Sequence, residues 1–179
     1  IGDGNTFREF VTIHRGTPGG GGVTRIGNDS LFMAYVHVAH DCMVGSRTIF
    51  ANAATLAGHV EVHDEATIGA FSAIHQFTRV GRYAFLGGFT AAAKDCLPYM
   101  NTTGNRPPKC YGPNTIGLER KGFSDESRLA LKRLWRKLRS KKMTTTEAVD
   151  EAKAELAGQP EVEVVLEFIE TSQRGVILG

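Results

Sequence analysis

The sequence predicts an all-β solenoid, a parallel β-helix, followed by a small helical bundle. Three observations predict it. A large apolar residue recurs every six positions from Ile26, a small or β-branched residue recurs at the fifth place of each six, and beyond Gly122 the apolar spacing becomes helical. The anchor column reads Ile26, Phe32, Val38, Val44, Phe50, Leu56, Val62, Ile68, Ile74, Val80, Leu86 and Ala92. The fifth-place column reads Ser30, Val36, Cys42, Thr48, Ala54, Val60, Ala66, Ser72, Thr78, Ala84, Thr90 and Cys96. A period of six matches neither the 3.6 of an α-helix nor the 3.5 of a coiled coil. It fits short strands joined by turns, three to a coil of eighteen, stacked about 4.8 Å apart with the anchors inside.

The same rhythm begins at Ile1, Phe7 and Ile13 and slips by one across Thr17–Arg25, where Gly19–Gly22 predict a loop. It stops at Pro98, which bounds the β-helix at residues 1–97, and Pro107–Pro108 mark residues 98–123 as a connecting segment. Residues 124–179 read as the helical domain. Ser124 is placed to cap a helix with Leu131, Leu134, Trp135 and Leu138 on one face. Thr144 with Glu147 forms a capping box for a second helix, carrying Val149, Ala152 and Leu156. Pro160 opens a third, with Val162, Val165, Leu166 and Ile169.

Composition narrows the function classes. The chain has 179 residues with 41% hydrophobic and 22% charged, enough apolar residues for a continuous core. No run of eighteen apolar residues occurs, so no membrane span is expected. A formal charge of +2 is too small to argue for nucleic acid. No charged-then-apolar leader follows Ile1, so no signal peptide is expected. Three cysteines without a C-x-x-C pair fit reduced thiols. Cys42 and Cys96, three coils apart at about 14 Å, cannot form a disulfide.

Five of the six histidines, His37, His40, His59, His63 and His75, fall between residues 37 and 75. On an eighteen-residue coil, His40, Gly58 and Gln76 share one column, and His59 lies one coil from Asp41. An imidazole can take a proton near neutral pH as a hydroxyl attacks a thioester. Asp41 could hold its tautomer, and the unshielded Gly58 N–H could face an oxyanion. No Ser or Cys nucleophile adjoins His40 in this grid, which favours direct transfer over an acyl-enzyme. His14 and His63 read as polar surface or inter-subunit residues. Clustered histidines also suggest zinc, but His40 and His59 would need a third ligand from another subunit.

VHVAHDC (36–42), LAGHV (56–60), IHQF (74–77), TIHRGT (12–17) and GLERKGFS (117–124) resemble the UDP-N-acetylglucosamine acyltransferases, which open lipid A synthesis. The resemblance reaches SQRGVI (172–177) in the tail. It implies a left-handed coil, a bacterial cytoplasmic homotrimer, and active sites in clefts between adjacent β-helices. It implies transfer of a 3-hydroxyacyl chain from acyl carrier protein to the glucosamine 3-hydroxyl of UDP-N-acetylglucosamine, with no cofactor and no metal. In it, His40 would be the general base, Asp41 its orienting neighbour and Gly58 N–H the oxyanion donor. His37, His59 and Gln76 would contact sugar and phosphate, with His75 nearby. Asn114, Arg120 and Lys121 would hold the nucleotide, and Gly88 would leave room for a longer acyl chain.

The sequence departs from the family in three places. Ile116 stands where the family often has an acid, Lys121 replaces a more usual Arg, and the family has several more coils before the equivalent of Ile1. The basic run Lys132, Arg133, Arg136, Lys137, Arg139, Lys141 and Lys142 reads either as a solvated helix face or as a dock for the acidic carrier protein. The sister N-acyltransferase of the same pathway, a γ-carbonic-anhydrase-like zinc hydratase and a non-catalytic scaffold are the competing readings.

Overall fold

The computed structural model describes residues 1–179. The hexapeptides form two-residue strands that stack into three parallel faces of a solenoid. The first face runs through β1 (Thr6–Phe7), β4 (Leu31–Phe32), β7 (Ile49–Phe50), β10 (Thr67–Ile68) and β13 (Phe85–Leu86). The second runs through β2 (Thr12–Ile13), β5 (His37–Val38), β8 (Thr55–Leu56), β11 (Ala73–Ile74) and β14 (Ala91–Ala92). The third runs through β3 (Arg25–Ile26), β6 (Met43–Val44), β9 (Glu61–Val62) and β12 (Arg79–Val80).

Registers show the coil length directly. Leu31 pairs with Ile49 and Ile49 with Thr67, a spacing of eighteen. Thr12 pairs with His37, a spacing of twenty-five. The seven extra residues lie in the loop between β2 and β3, and this accounts for the slip of one in the repeat.

The anchor column fills the interior, where Phe32 and Phe50 are fully buried and stack with rings 4.8 Å apart. Cys42, Cys96 and Cys110 are buried and free. Burial pushes the Cys110 thiol up to about 12, so these are packing residues.

One feature of the repeat left no trace in composition. Every fourth-place residue from Asp29 to Phe89 takes a left-handed conformation, φ 54–64°, and none is glycine. An L-residue pays about 1–2 kcal/mol for this geometry. It is held by the neighbouring coil, as where His59 N–H donates to the His40 carbonyl at 3.1 Å.

Residues 98–123 do more than connect. β15 (Met100–Thr103) joins the first face parallel to β13, and β16 (Lys109–Pro113) returns antiparallel to it. A short helix, α1 (Thr115–Arg120), follows, with the Asn114 side chain accepting from Gly117 N–H. The tail holds α2 (Asp125–Leu138), α3 (Thr145–Glu155) and α4 (Pro160–Glu170), with Ser124 as an N-cap and the Thr144–Glu147 capping box formed. Leu131, Leu134, Trp135 and Leu138 are buried, and the tail shares one continuous core with the solenoid. The third helix buries Phe168 where the spacing had picked Ile169, which is only half-buried. Arg79 of β12 ties α4 to the third face, donating to Asp95, Thr171 and the Phe168 carbonyl.

Candidate active site

The turn from the second face to the third carries residues 39–42, 57–60 and 75–78 of successive coils. The carbonyl of Gly58 accepts from Phe77 N–H at 3.3 Å, as that of His40 does from His59. His40, Gly58 and Gln76 therefore stack in one line. A Cβ built on Gly58 would lie 2.6 Å from His40 Cε1 and 2.8 Å from Nε2. Only a glycine leaves the imidazole its place, and the Gly58 N–H donates to no group of the chain.

His40 Nδ1 lies 2.8 Å from Asp41 Oδ2. The Asp41 side chain is 1% exposed and that of His40 is 41% exposed, so the ring bridges a buried carboxylate and solvent. Burial by itself would raise the Asp41 pKa. The Thr17 hydroxyl, His40, the Thr17 N–H and the nearby His59 outweigh it and hold the carboxyl down at about 2. An ionised carboxylate only accepts hydrogen bonds, so Nδ1 carries a hydrogen and, in the neutral ring, Nε2 keeps its lone pair.

His59 meets His40 edge-on at 5.2 Å and stacks on Phe77 at 4.6 Å. Ligand atoms of His40, Asp41 and His59 lie within 4.8 Å of one another. The expected need for a third ligand from another subunit is thus corrected, because Asp41 supplies a third donor within one chain. Both Asp41 oxygens are already engaged by Thr17, and Oδ2 by His40 as well.

His37 sits on the second face, its Nδ1 2.7 Å from Thr12 Oγ1. Burial, then the neighbouring His14, lower its pKa. His14 is exposed, as a polar surface or inter-subunit residue would be, and its ring packs edge-on against His37 at 4.6 Å. His63 packs instead against Phe168 of α4. His75 and Gln76 are exposed; His75 lines an apolar groove of about 680 Å³ with Thr55, Ala57, Ala73 and Ala91.

A second cavity, of about 860 Å³, opens on the first face, where Asn114, Arg120 and Lys121 meet Glu65, Tyr83 and Asn101. Lys121 is 2.7 Å from Glu65, which also pairs with Arg47. Arg120 has no carboxylate partner in the chain. No residue of the His40 turn lines this cavity. The first face is the one face that does not adjoin that turn, and packed side chains fill the space between.

Comparison with known proteins places this geometry. The family profile described as "Udp N-acetylglucosamine O-acyltransferase; Domain 2" matches residues 95–177, and "Bacterial transferase hexapeptide (six repeats)" matches residues 24–58. An acyl-[acyl-carrier-protein]--UDP-N-acetylglucosamine O-acyltransferase of Anaeromyxobacter dehalogenans is 47% identical over 98% of the chain and 68% of its own length. The chain belongs to the UDP-N-acetylglucosamine O-acyltransferase family. The same enzyme of Xylella fastidiosa is 45% identical over 99% of the chain and 67% of its length. The UDP-N-acetylglucosamine acyltransferase structure of Francisella novicida superposes with a TM-score of 0.93 at 37% identity, over 99% of the chain and 65% of its own. That of Arabidopsis gives 0.91 at 35% identity, over 99% and 64%. The chain thus spans about two thirds of the length of its relatives. No helix is long and apolar enough to cross a membrane.

In this acyltransferase family member, a Cβ on Gly88 would meet one atom, the Ala70 carbonyl oxygen, at a tight 3.3 Å. Asn114 caps α1, and Lys121 is already ion-paired. Of the two cations, Arg120 is the one without a carboxylate partner. Sequence reasoning missed Thr12, Thr17, Thr24 and Gly20. The TIHRGT motif held Thr12 and Thr17, and the slip in the repeat marked an insertion around Gly20 and Thr24, but neither showed what these residues touch.

Proposed function

We propose that the protein transfers a 3-hydroxyacyl chain from acyl carrier protein to the glucosamine 3-hydroxyl of UDP-N-acetylglucosamine, as a cytoplasmic homotrimer. The observation that carries this reading is the His40 turn: a ring hydrogen-bonded through Nδ1 to a buried carboxylate, packed against a glycine whose N–H is unpaired. In the proposed reaction Nε2 takes the proton of the 3-hydroxyl as its oxygen attacks the thioester carbonyl. The Gly58 N–H donates to the oxyanion that forms, a contribution of about 3 kcal/mol. Collapse breaks the carbon–sulfur bond, and the departing thiolate takes the proton from His40. Every bond made and broken belongs to the two substrates and the imidazole, so the reaction calls for no cofactor or metal.

His37, His59 and Gln76 line the approach for sugar and phosphate, with His75 beside them. Asn114, Arg120 and Lys121 would supply the nucleotide contacts, Arg120 offering a fork for the diphosphate. Because their cavity and the His40 turn lie on opposite sides of one solenoid, a single substrate can meet both only between two copies. Gly88 leaves room at the acyl end. The basic face of α2 is a dock for the acidic carrier, with one exception: Lys137 is held by Glu151 and Glu155 of α3. Salt should weaken carrier binding there.

The test is acyl transfer from 3-hydroxyacyl carrier protein to UDP-N-acetylglucosamine, with the His40→Ala variant alongside. A loss of about a hundredfold or more with the fold intact supports the base. Unchanged turnover in the variant would move the search to His37 or His59.

A further inference from the structure

The solenoid departs from its eighteen-residue coil at two places: the last coil shortens to sixteen, where Phe85 pairs with Asn101, and the one lengthened coil spends its extra residues beside the His40 turn. The seven extra residues lie between β2 and β3, one coil before Asp41. Both ends of the loop grip that residue. At its start, Thr17 N–H donates to Asp41 Oδ1 at 2.9 Å, and the Thr17 hydroxyl donates to Oδ2 at 2.7 Å. At its end, Thr24 Oγ1 accepts from Asp41 N–H at 2.8 Å. Between them Gly20 lies so close that a Cβ would fall 2.3 Å from the Asp41 carboxyl carbon and 2.6 Å from His59 Cε1.

Asp41 needs such a grip. It occupies a left-handed corner, φ 59°, and a carboxylate turns easily about its last torsion. Oδ2 is shared by the Thr17 hydroxyl at 2.7 Å, His40 Nδ1 at 2.8 Å and, more distantly, the Thr17 N–H at 3.2 Å. With the Thr17 hydroxyl and N–H in place, the plane of the carboxylate is set and Oδ2 points at His40. Without the hydroxyl, Oδ2 keeps only the longer Thr17 N–H contact beside His40, and the hold on the carboxylate plane and on the ring is weakened.

We propose that Thr17 is a positioning residue for the transfer reaction, its hydroxyl locking the Asp41 carboxylate so that His40 presents Nε2 to the substrate hydroxyl. The proposal rests on His40 being the base. It predicts that Thr17 acts through Asp41 and not merely by seating the loop.

Thr17→Val, Thr17→Ser, Asp41→Asn and the Thr17→Val/Asp41→Asn double variant of the purified enzyme separate these roles. The expected result is a fall in kcat of about tenfold or more for Thr17→Val, the scale of a misplaced catalytic group. KM for UDP-N-acetylglucosamine should stay within about twofold, since no ground-state substrate contact is removed. Thr17→Ser should restore most of kcat, and Thr17→Val should cost little more once Asp41 is Asn. A downfield proton resonance of His40 Nδ1–H should be present in the parent and in Thr17→Ser, and lost in Thr17→Val. The proposal is overturned if Thr17→Val leaves kcat and that resonance unchanged, or if its effect is as large in the Asp41→Asn background. Gly20→Ala, which would push the loop off Asp41, should reproduce the Thr17→Val signature if the protein is folded. Should His40→Ala retain turnover, the reading of His40 as base fails separately, and with it the catalytic role of Thr17. The resonance would then report only whether Thr17 orients the ring.

Discussion

The His40 turn and the Arg120 cavity are built on opposite principles. At the turn, each polar group that orients His40 is supplied by the chain itself. Asp41 is buried and bonded by Thr17 and His40, and Gly58 makes the space. In the cavity the cations are exposed, Lys121 leans on a largely buried Glu65 that Arg47 also pairs, and Arg120 has no carboxylate partner. The first region is preorganised, as a site must be that stabilises charge only during reaction. The second holds exposed cations, one of them without a carboxylate partner, which would suit the proposed capture and release of a diphosphate. On the proposed reading, chemistry belongs to the repeat, and nucleotide capture largely to the segment appended to it.

That contrast makes graded predictions. The largest effect should come from Gly58→Ala, whose methyl would collide with the His40 ring. A fall in turnover of about a hundredfold or more, with circular dichroism unchanged, is expected; a full-rate variant would show the turn to be far looser than the geometry indicates. Next is Arg120→Ala, expected to raise KM for the nucleotide sugar by about tenfold or more while kcat changes little, the worth of one charged hydrogen bond. If kcat fell and KM did not, the cavity would belong to the chemistry and the contrast would break.

The pH response should separate the regions too. Asp41 has its folded pKa lowered to about 2 from an ordinary 3.8. Its stabilisation is therefore complete above about pH 4 and lost as pH falls toward 2. Acid titration of stability should show a step in that window that Asp41→Asn removes. The smallest effect is expected at Glu65→Gln, which frees Lys121 and Arg47 for the diphosphate and should lower KM by about twofold, within the range of partly exposed ion pairs. A rise in KM would mean that Glu65 aims Lys121 at its ligand.

Much of this was legible in the residues. The anchor column from Ile26 to Ala92 gave the solenoid, and folding the chain on eighteen brought His40 to Gly58. Ser124, Thr144 with Glu147, and Pro160 marked the helix starts, because capping chemistry is local. What escaped depended on contacts between distant segments. Nothing in the sequence marks Asp41 and His59 as left-handed corners, since that conformation is enforced by the next coil. The Gly19–Gly22 stretch read as a loop, yet its meeting with Asp41 follows from where a seven-residue insertion folds back. Likewise Glu65 and Lys121 lie far apart in sequence and meet only because β16 and α1 return along the first face.

The central claim is that the His40 turn of one copy and the Arg120 cavity of another form one site. Subunit mixing tests it directly: His40→Ala and Arg120→Ala proteins, each impaired alone, are co-refolded or co-expressed and assayed for acyl transfer at low UDP-N-acetylglucosamine. The account predicts that mixed oligomers regain activity, because some interfaces then pair an intact His40 with an intact Arg120. A mixture no more active than the average of its separate components would contradict it.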